Sequence, residues 1–175
     1  MFRKRGLGVA LCSLALIGAA MGWAPATQAH TPISCTGDAN TSYSPGLRLT
    51  PQRISVQEGV AYTCTTAPGR VTAATSHIVG ESPGGTCLAF HAIRARETVR
   101  YGDGSTSVIF YNTGRATRVL GVNTVRLAGI VVSGRGQGGH AERVMQVTPA
   151  GTPAACVTRE GIQSSNGQVQ MRILP

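Results

Sequence analysis

Two glycine-framed strings are the first places where this chain could do chemistry. Gly80-Glu81-Ser82-Pro83-Gly84 fits the Gly-x-Ser-x-Gly string of a nucleophile elbow, in which the serine sits on a tight strand-to-helix turn. In that elbow the residue after the serine donates its backbone N–H to an oxyanion, and here that residue is Pro83, which has none. An apolar segment around Cys87 follows where a helix is needed, so the string reads as a proline-glycine turn. Gly134, Gly136 and Gly139 fit Gly-x-Gly-x-x-Gly, but a dinucleotide site needs a helix N-terminus facing the pyrophosphate inside a βαβ unit. Residues 140–147 carry Val144, Met145 and Val147 and stop at Thr148-Pro149. That is a strand pattern, so the glycines read as a hairpin loop and no cofactor is expected.

General acid–base work needs a base with a partner in reach. The acids are Asp38, Glu58, Glu81, Glu97, Asp103, Glu142 and Glu160, and the histidines are His30, His77, His91 and His140. Asp103 is explained by a turn, while Glu142 and Glu160 are flanked by arginines, as solvated faces often are. No paired-carboxylate, triad or metal-ligand spacing stands out. His30 would become the N-terminal residue if a leader is cut after Ala29, and its amine and imidazole would then suit copper, as in N-terminal-histidine oxygenases. A secreted hydrolytic or copper enzyme is thus the enzymatic alternative, with a site assembled from residues far apart in sequence.

The leader itself is clear in pattern. Arg3-Lys4-Arg5 precedes an apolar run over residues 7–21 and then Ala26-Thr27-Gln28-Ala29, the order of a secretory signal peptide. The run falls short of the roughly 20 residues of a membrane span, so the expectation is a secreted, extracellular protein with no span after cleavage. Residues 30–175 form one domain, of a size that buries about two thirds of its unfolded surface. Removing Arg3, Lys4 and Arg5 leaves 13 basic groups, all arginine, against seven acidic ones, a formal +6. A chain without lysine has no Schiff-base lysine and no phosphate-loop lysine. Arginine with abundant alanine and glycine is what GC-rich coding produces. Arg94, Arg96 and Arg100 nevertheless share parity, and an unbroken strand would line them up outward toward an anionic cell-wall polymer, nucleic acid or an acidic envelope protein.

Four cysteines remain, Cys35, Cys64, Cys87 and Cys156. An even count behind a signal peptide implies two disulfides, with three pairings open. The favoured one joins Cys35 to Cys64 and Cys87 to Cys156, adding about 3–4 kcal/mol per bridge on a loop-entropy argument. Zinc is disfavoured because no Cys-x-x-Cys pair exists.

The elements that must position these residues are strands. Leu47, Leu49, Ile54 and Val56 alternate with polar neighbours, punctuated by Pro45-Gly46 and Thr50-Pro51. Residues 71–79 and an apolar run around Cys87 are strand candidates, with residues 80–85 as the loop between them. Residues 85–111 hold the central hairpin, in which Asp103 and Gly104 are the two central turn residues and Arg100 pairs with Ser107. The period of two then places Val99, Tyr101, Val108 and Phe110 on the core face. Residues 116–132 break near Gly121 and Asn123, and the chain closes on a strand with Val169, Met171 and Ile173 inward. About nine to ten short strands, no convincing helix and no internal repeat predict an all-β antiparallel sandwich or barrel.

Taken together, Ser34-Cys35-Thr36-Gly37, SYSPGLRLTP over residues 42–51, Thr86-Cys87-Leu88, YGDGSTS over residues 101–107 and AACVTREG over residues 154–161 resemble a group of small secreted four-cysteine β-proteins of actinobacteria. Many of that group carry tryptophan where this chain has Tyr101. The resemblance implies export, two disulfides and a β-sandwich or barrel, and it supplies no catalytic residue. The expectation is a secreted or envelope-associated binding module acting by surface contact, with a ligand-holding β-barrel as the alternative.

Overall fold

Eight antiparallel strands follow one another round a closed barrel in a computed structural model that describes residues 31–119, 122–149 and 153–175. They are β1 (Ile33–Leu47), β2 (Gln52–Ala67), β3 (Arg70–Gly85), β4 (Arg94–Tyr101), β5 (Thr106–Val119), β6 (Val122–Gly134), β7 (His140–Pro149) and β8 (Ile162–Leu174), with a 3-10 helix at Pro153–Val157 before the last. Each strand pairs with the next, and β8 returns to β1 with Ile33 opposite Ile173 and Thr41 opposite Ser165. The leader and His30 lie outside the described residues. No helix among those described is long and apolar enough to cross a membrane.

The count of nine to ten short strands is corrected to eight, most of them long, and of the sandwich or barrel expected the chain forms the barrel. The reason lies in the glycines and prolines read as turns. Pro45 and Gly46 fall within β1, and residues 80–85 continue β3, its ladder running from Glu81 opposite Ser55 to Gly85 opposite Gln52 through one register shift. Register shifts between Ser42 and Leu47, and between Gln52 and Ile54, absorb the irregular residues without ending the strands. The reverse correction applies to Cys87. Residues 86–93 form a crossing segment with a single β-bridge, Phe90 to Ala116.

The central hairpin is slipped by one residue. Arg100 pairs with Thr106, and Val99 pairs with Ser107. Gly102, Asp103 and Gly104 form a three-residue loop in which Gly104 has φ 83° and its N–H donates to the Tyr101 carbonyl at 2.9 Å. Asp103 Oδ1 accepts from the Ser105 backbone at 3.1 Å and from Ser105 Oγ at 2.7 Å. Aspartate satisfied two residues on, with glycine at positive φ, favours the three-residue loop over the two-residue turn. A slip of one reverses every side chain of the second strand. Ser107, Ile109 and Tyr111 therefore point inward, and Phe110 lies 45% exposed on the outside.

Alternation along the strands fills the lumen. Ile33, Val99, Ile109, Val131, Met171 and Ile173 are among the buried side chains at its lower half, and Val169, Met171 and Ile173 are inward as the sequence predicts. Eight strands leave an interior that side chains can fill. Cys35 and Cys64 are register partners on β1 and β2 with Cα atoms 4.0 Å apart, and their disulfide joins this core. The second disulfide, Cys87 to Cys156, ties the crossing segment to the 3-10 helix at the upper end. Two bridges of this kind fit an oxidising environment.

Candidate functional site

The outer wall of β4, β5 and β6 collects the arginines that the sequence singles out. Arg94, Arg96 and Arg100 are exposed on β4, and Arg115 and Arg126 are exposed register partners on β5 and β6. One ladder row runs Val79, Arg96, Phe110, Ile130, His140 and Leu174 from β3 to β8, every member exposed. Arg96 thus stands in a row of aliphatic and aromatic side chains. The carboxylate these three strands carry in sequence, Glu97, points into the lumen with no exposure. Two acids border the wall: Glu81 on β3 is the register partner of Arg94 and meets Arg53 at 3.4 Å, and Glu142 on β7 pairs in register with Arg172. A shallow hollow of about 480 Å³ over β5 to β7 is lined by Arg115, Arg126 and Glu142.

Inside the barrel lies a cluster that sequence spacing does not reveal. Glu58 on β2 and Glu97 on β4 occupy one ladder row, either side of Ile78, and Arg143 reaches in from β7. The Arg143 guanidinium pairs with Glu58, donates from Nε to Tyr62 Oη at 3.3 Å, and lies 3.7 Å from Glu97 Oε2. Glu97 is held by two phenols, Tyr62 at 3.1 Å and Tyr111 at 2.6 Å. Glu58 Oε2 accepts from Thr41 Oγ1 at 3.1 Å. Arg143 is 2% exposed and Glu58 4%, so the charges are out of water and stand on one another and on hydroxyl donors.

The electrostatics follow from that burial. Burial pushes the Glu58 carboxyl above the usual glutamate range, partly offset by Arg143 and reinforced by Glu97. Burial also raises Tyr62 and Tyr111, and the Glu97 charge adds to both. Burial works against the Arg143 charge, but Tyr62, Glu58 and Glu97 outweigh it and hold the guanidinium above its ordinary value. Two carboxyls against one guanidinium leave the cluster one positive charge short of neutrality when both carboxyls are ionised.

Above the cluster, a cavity of about 50 Å³ is lined by Thr41, Glu58 and Arg143 on its polar side and by Val56, Leu127 and Met145 on its apolar side. The residue 86–93 segment closes it. Phe90 packs against Tyr43 with ring centroids 5.9 Å apart, and it separates this cavity from a second of about 30 Å³. Tyr43 Oη lies 2.6 Å from Ser165 Oγ, and burial pushes its pKa up to about 12. Gly114 makes the seat for the segment, since a Cβ there would lie 2.8 Å from the Ile93 Cβ.

The remaining sequence candidates lie apart. Ser82 is fully buried on β3 and donates to the His91 carbonyl at 2.9 Å, so it is no elbow nucleophile. Gly134, Gly136 and Gly139 lie in or beside the β6–β7 hairpin loop, with β7 and not a helix following. His77, His91 and His140 are exposed on separate elements, and among the described residues no three His, Cys, Asp or Glu side chains group as metal ligands. At the lower rim Asp103 pairs with Arg135, and Ser105 hydrogen bonds together with that partner hold its pKa down to about 2. Arg135 also stacks 5.0 Å over the Tyr101 ring. Parity was the signal for the lumen cluster, because Glu58, Glu97 and Arg143 each occupy the inward position of an otherwise apolar alternation. No protein-family model matches the chain, and no curated protein is significantly similar to it.

Proposed function

We propose that this protein is an exported, non-catalytic binding module that holds an anionic polymer against the outer wall of β4 to β6. One observation carries the reading: five exposed arginines stand on three neighbouring strands whose sequence carries a single acid, turned inward. A linear anion laid across the wall would meet Arg94, Arg96 and Arg100 along β4 and the Arg115–Arg126 pair beyond it. Phe110 and Ile130 offer apolar contact between the charges. Export rests on the leader pattern, and the two disulfides support it. An envelope polymer rich in phosphate or carboxylate is the partner this charge pattern fits.

The test is retention of residues 30–175 on immobilised polyphosphate across a salt series. Retention should fall steeply between 0.05 and about 0.5 M salt, as screening shortens to a few ångströms. The Arg94→Gln, Arg96→Gln, Arg100→Gln triple variant should elute at the low-salt end. Retention that salt leaves unchanged, or that the triple variant keeps, removes this reading.

A further inference from the structure

We propose a second binding site inside the upper lumen, which takes a small primary ammonium ligand with an apolar body when Phe90 swings aside. The proposal joins four observations that are independent of the outer wall.

The first is charge. Glu58, Glu97 and Arg143 sum to a formal −1 when ionised, in an interior where an isolated charge is costly. A bound cation would complete the set. The second is spare acceptor capacity facing the cavity. Both carboxylates have one donor per oxygen, two phenols on Glu97 and Arg143 and Thr41 on Glu58. A carboxylate oxygen can accept about two hydrogen bonds, so each keeps acceptor capacity, and Glu58 is the one that lines the cavity.

The third is shape. The cavity has one polar side and an apolar remainder, the usual make-up of a small-molecule site. Phe90 stands between it and the second cavity, and both share Tyr43 and Val125 as walls. Moving one ring would join the two spaces and leave room for an alkyl body where the ring had been. The fourth is the nature of the wall that must move. Residues 86–93 are the part of the enclosure that belongs to no strand. Phe90 is held by one backbone bond, its carbonyl accepting from Ala116 at 3.2 Å, and Ile93 by a long one to Gly114 at 3.4 Å. Ala92 has φ 50°, uncommon for a residue other than glycine, so this segment carries backbone strain that the strands do not. Phe90 lies between two anchors, the Cys87–Cys156 bridge before it and the His91 carbonyl, which accepts from Ser82 Oγ at 2.9 Å, after it, so the ring can swing while the segment stays on the barrel.

The experiment compares 3-methylbutylamine with 3-methylbutanol, which share the alkyl body and differ in the charged end. Each is titrated into residues 30–175 while backbone amide shifts are followed by NMR. The expected result is saturable shifts at Thr41, Phe90 and Val125 for the amine, with an affinity at least tenfold above the alcohol. Glu58→Gln should erase that preference and leave the two probes equal. If Glu58→Gln does not fold, Phe90→Ala keeps the cluster and enlarges the chamber, and it should bind the amine at least tenfold more tightly than the unaltered chain. Lumen shifts that are absent with both probes, equal affinity for amine and alcohol in the unaltered chain, or shifts confined to the outer wall would each overturn the site. So would a Phe90→Ala variant that binds the amine no better.

Discussion

Arg143 and Arg96 are the same residue type on two strands of one sheet, and they differ in which way they face. Arg96 points outward between Val79 and Phe110, where water solvates it. Arg143 points inward, where water is replaced by Glu58, Glu97 and Tyr62. The outer wall therefore has charges available to a partner, and the lumen has charges already committed to one another. A charge on the wall contributes little to stability and, on the proposed reading, much to binding. A charge in the lumen does the reverse, because removing one member strands the others in a medium that cannot solvate them.

The sharpest way to break this contrast is Arg143→Met. It leaves Glu58 and Glu97 facing each other across Ile78 without their cation, and it should destabilise the barrel by about 3–5 kcal/mol in urea unfolding. Adding Glu58→Gln and Glu97→Gln to that variant should recover most of the loss, since the remaining groups are then neutral and of similar volume. A single-variant loss under about 1 kcal/mol would mean that the lumen is wet.

Alkaline titration probes the same interior without a mutation. All four tyrosines of the chain, Tyr43, Tyr62, Tyr101 and Tyr111, have pKa values raised chiefly by burial, Tyr43 to about 12. The folded state thus holds these protons more tightly than the unfolded state. Stability is unaffected below the ordinary tyrosine value of about 10 and falls as pH rises above it, by about 1.4 kcal/mol per pH unit for each tyrosine. Tyrosinate absorbance at 295 nm should therefore stay low past pH 10 and then rise together with loss of the β-sheet circular dichroism. An early rise near pH 10 with the sheet intact would place the phenols at the surface.

Much of this fold was legible from the sequence, and the misses share a cause. Period-two alternation and the cysteine count lead to an all-β chain with two disulfides, and the favoured pairing is the one formed. What alternation does not supply is its own phase after a turn. Asp103-Gly104 is compatible with a two-residue or a three-residue loop, and the choice decides whether Phe110 or Tyr111 is inside. Glu58, Glu97 and Arg143 are not joined by sequence for another reason. They lie on three strands, 39 and 46 positions apart in sequence, and only closure of the barrel brings β7 across from β2 and β4. Within each strand, though, a charge at an inward position among Val60, Val99 or Met145 was visible as a violation of pattern. A violation of that sort, of opposite sign on separate strands, is readable as a buried pair.

Phe90→Ala should have an intermediate effect. The ring is partly buried and flanked by two cavities, so its removal should cost about 2 kcal/mol, below the 3–5 kcal/mol of a fully buried phenylalanine. Hydrogen exchange should accelerate in residues 86–93 and stay unchanged at the lower half of β1 and β2, where the Cys35–Cys64 bridge and the ladder coincide. Acceleration spread over the whole barrel would mean that the segment is an integral wall and not a cover.

The smallest expected effect decides the register on which the inside–outside contrast rests. Phe110→Ser removes an aromatic ring from the outer wall, beside Arg96 and Ile130, and surface changes of this kind alter stability by about 0.5 kcal/mol. Tyr111→Ser, one position on, removes a fully buried ring and a phenol that donates to Glu97 at 2.6 Å. It should cost about 3 kcal/mol or more from lost burial and an under-satisfied carboxylate. Urea midpoints of the two variants measured side by side therefore report the facing of β5 directly. If Phe110→Ser were the more damaging of the two, the hairpin would have the two-residue turn, Phe110 would belong to the core, and Arg96 would lose its apolar neighbour on the wall.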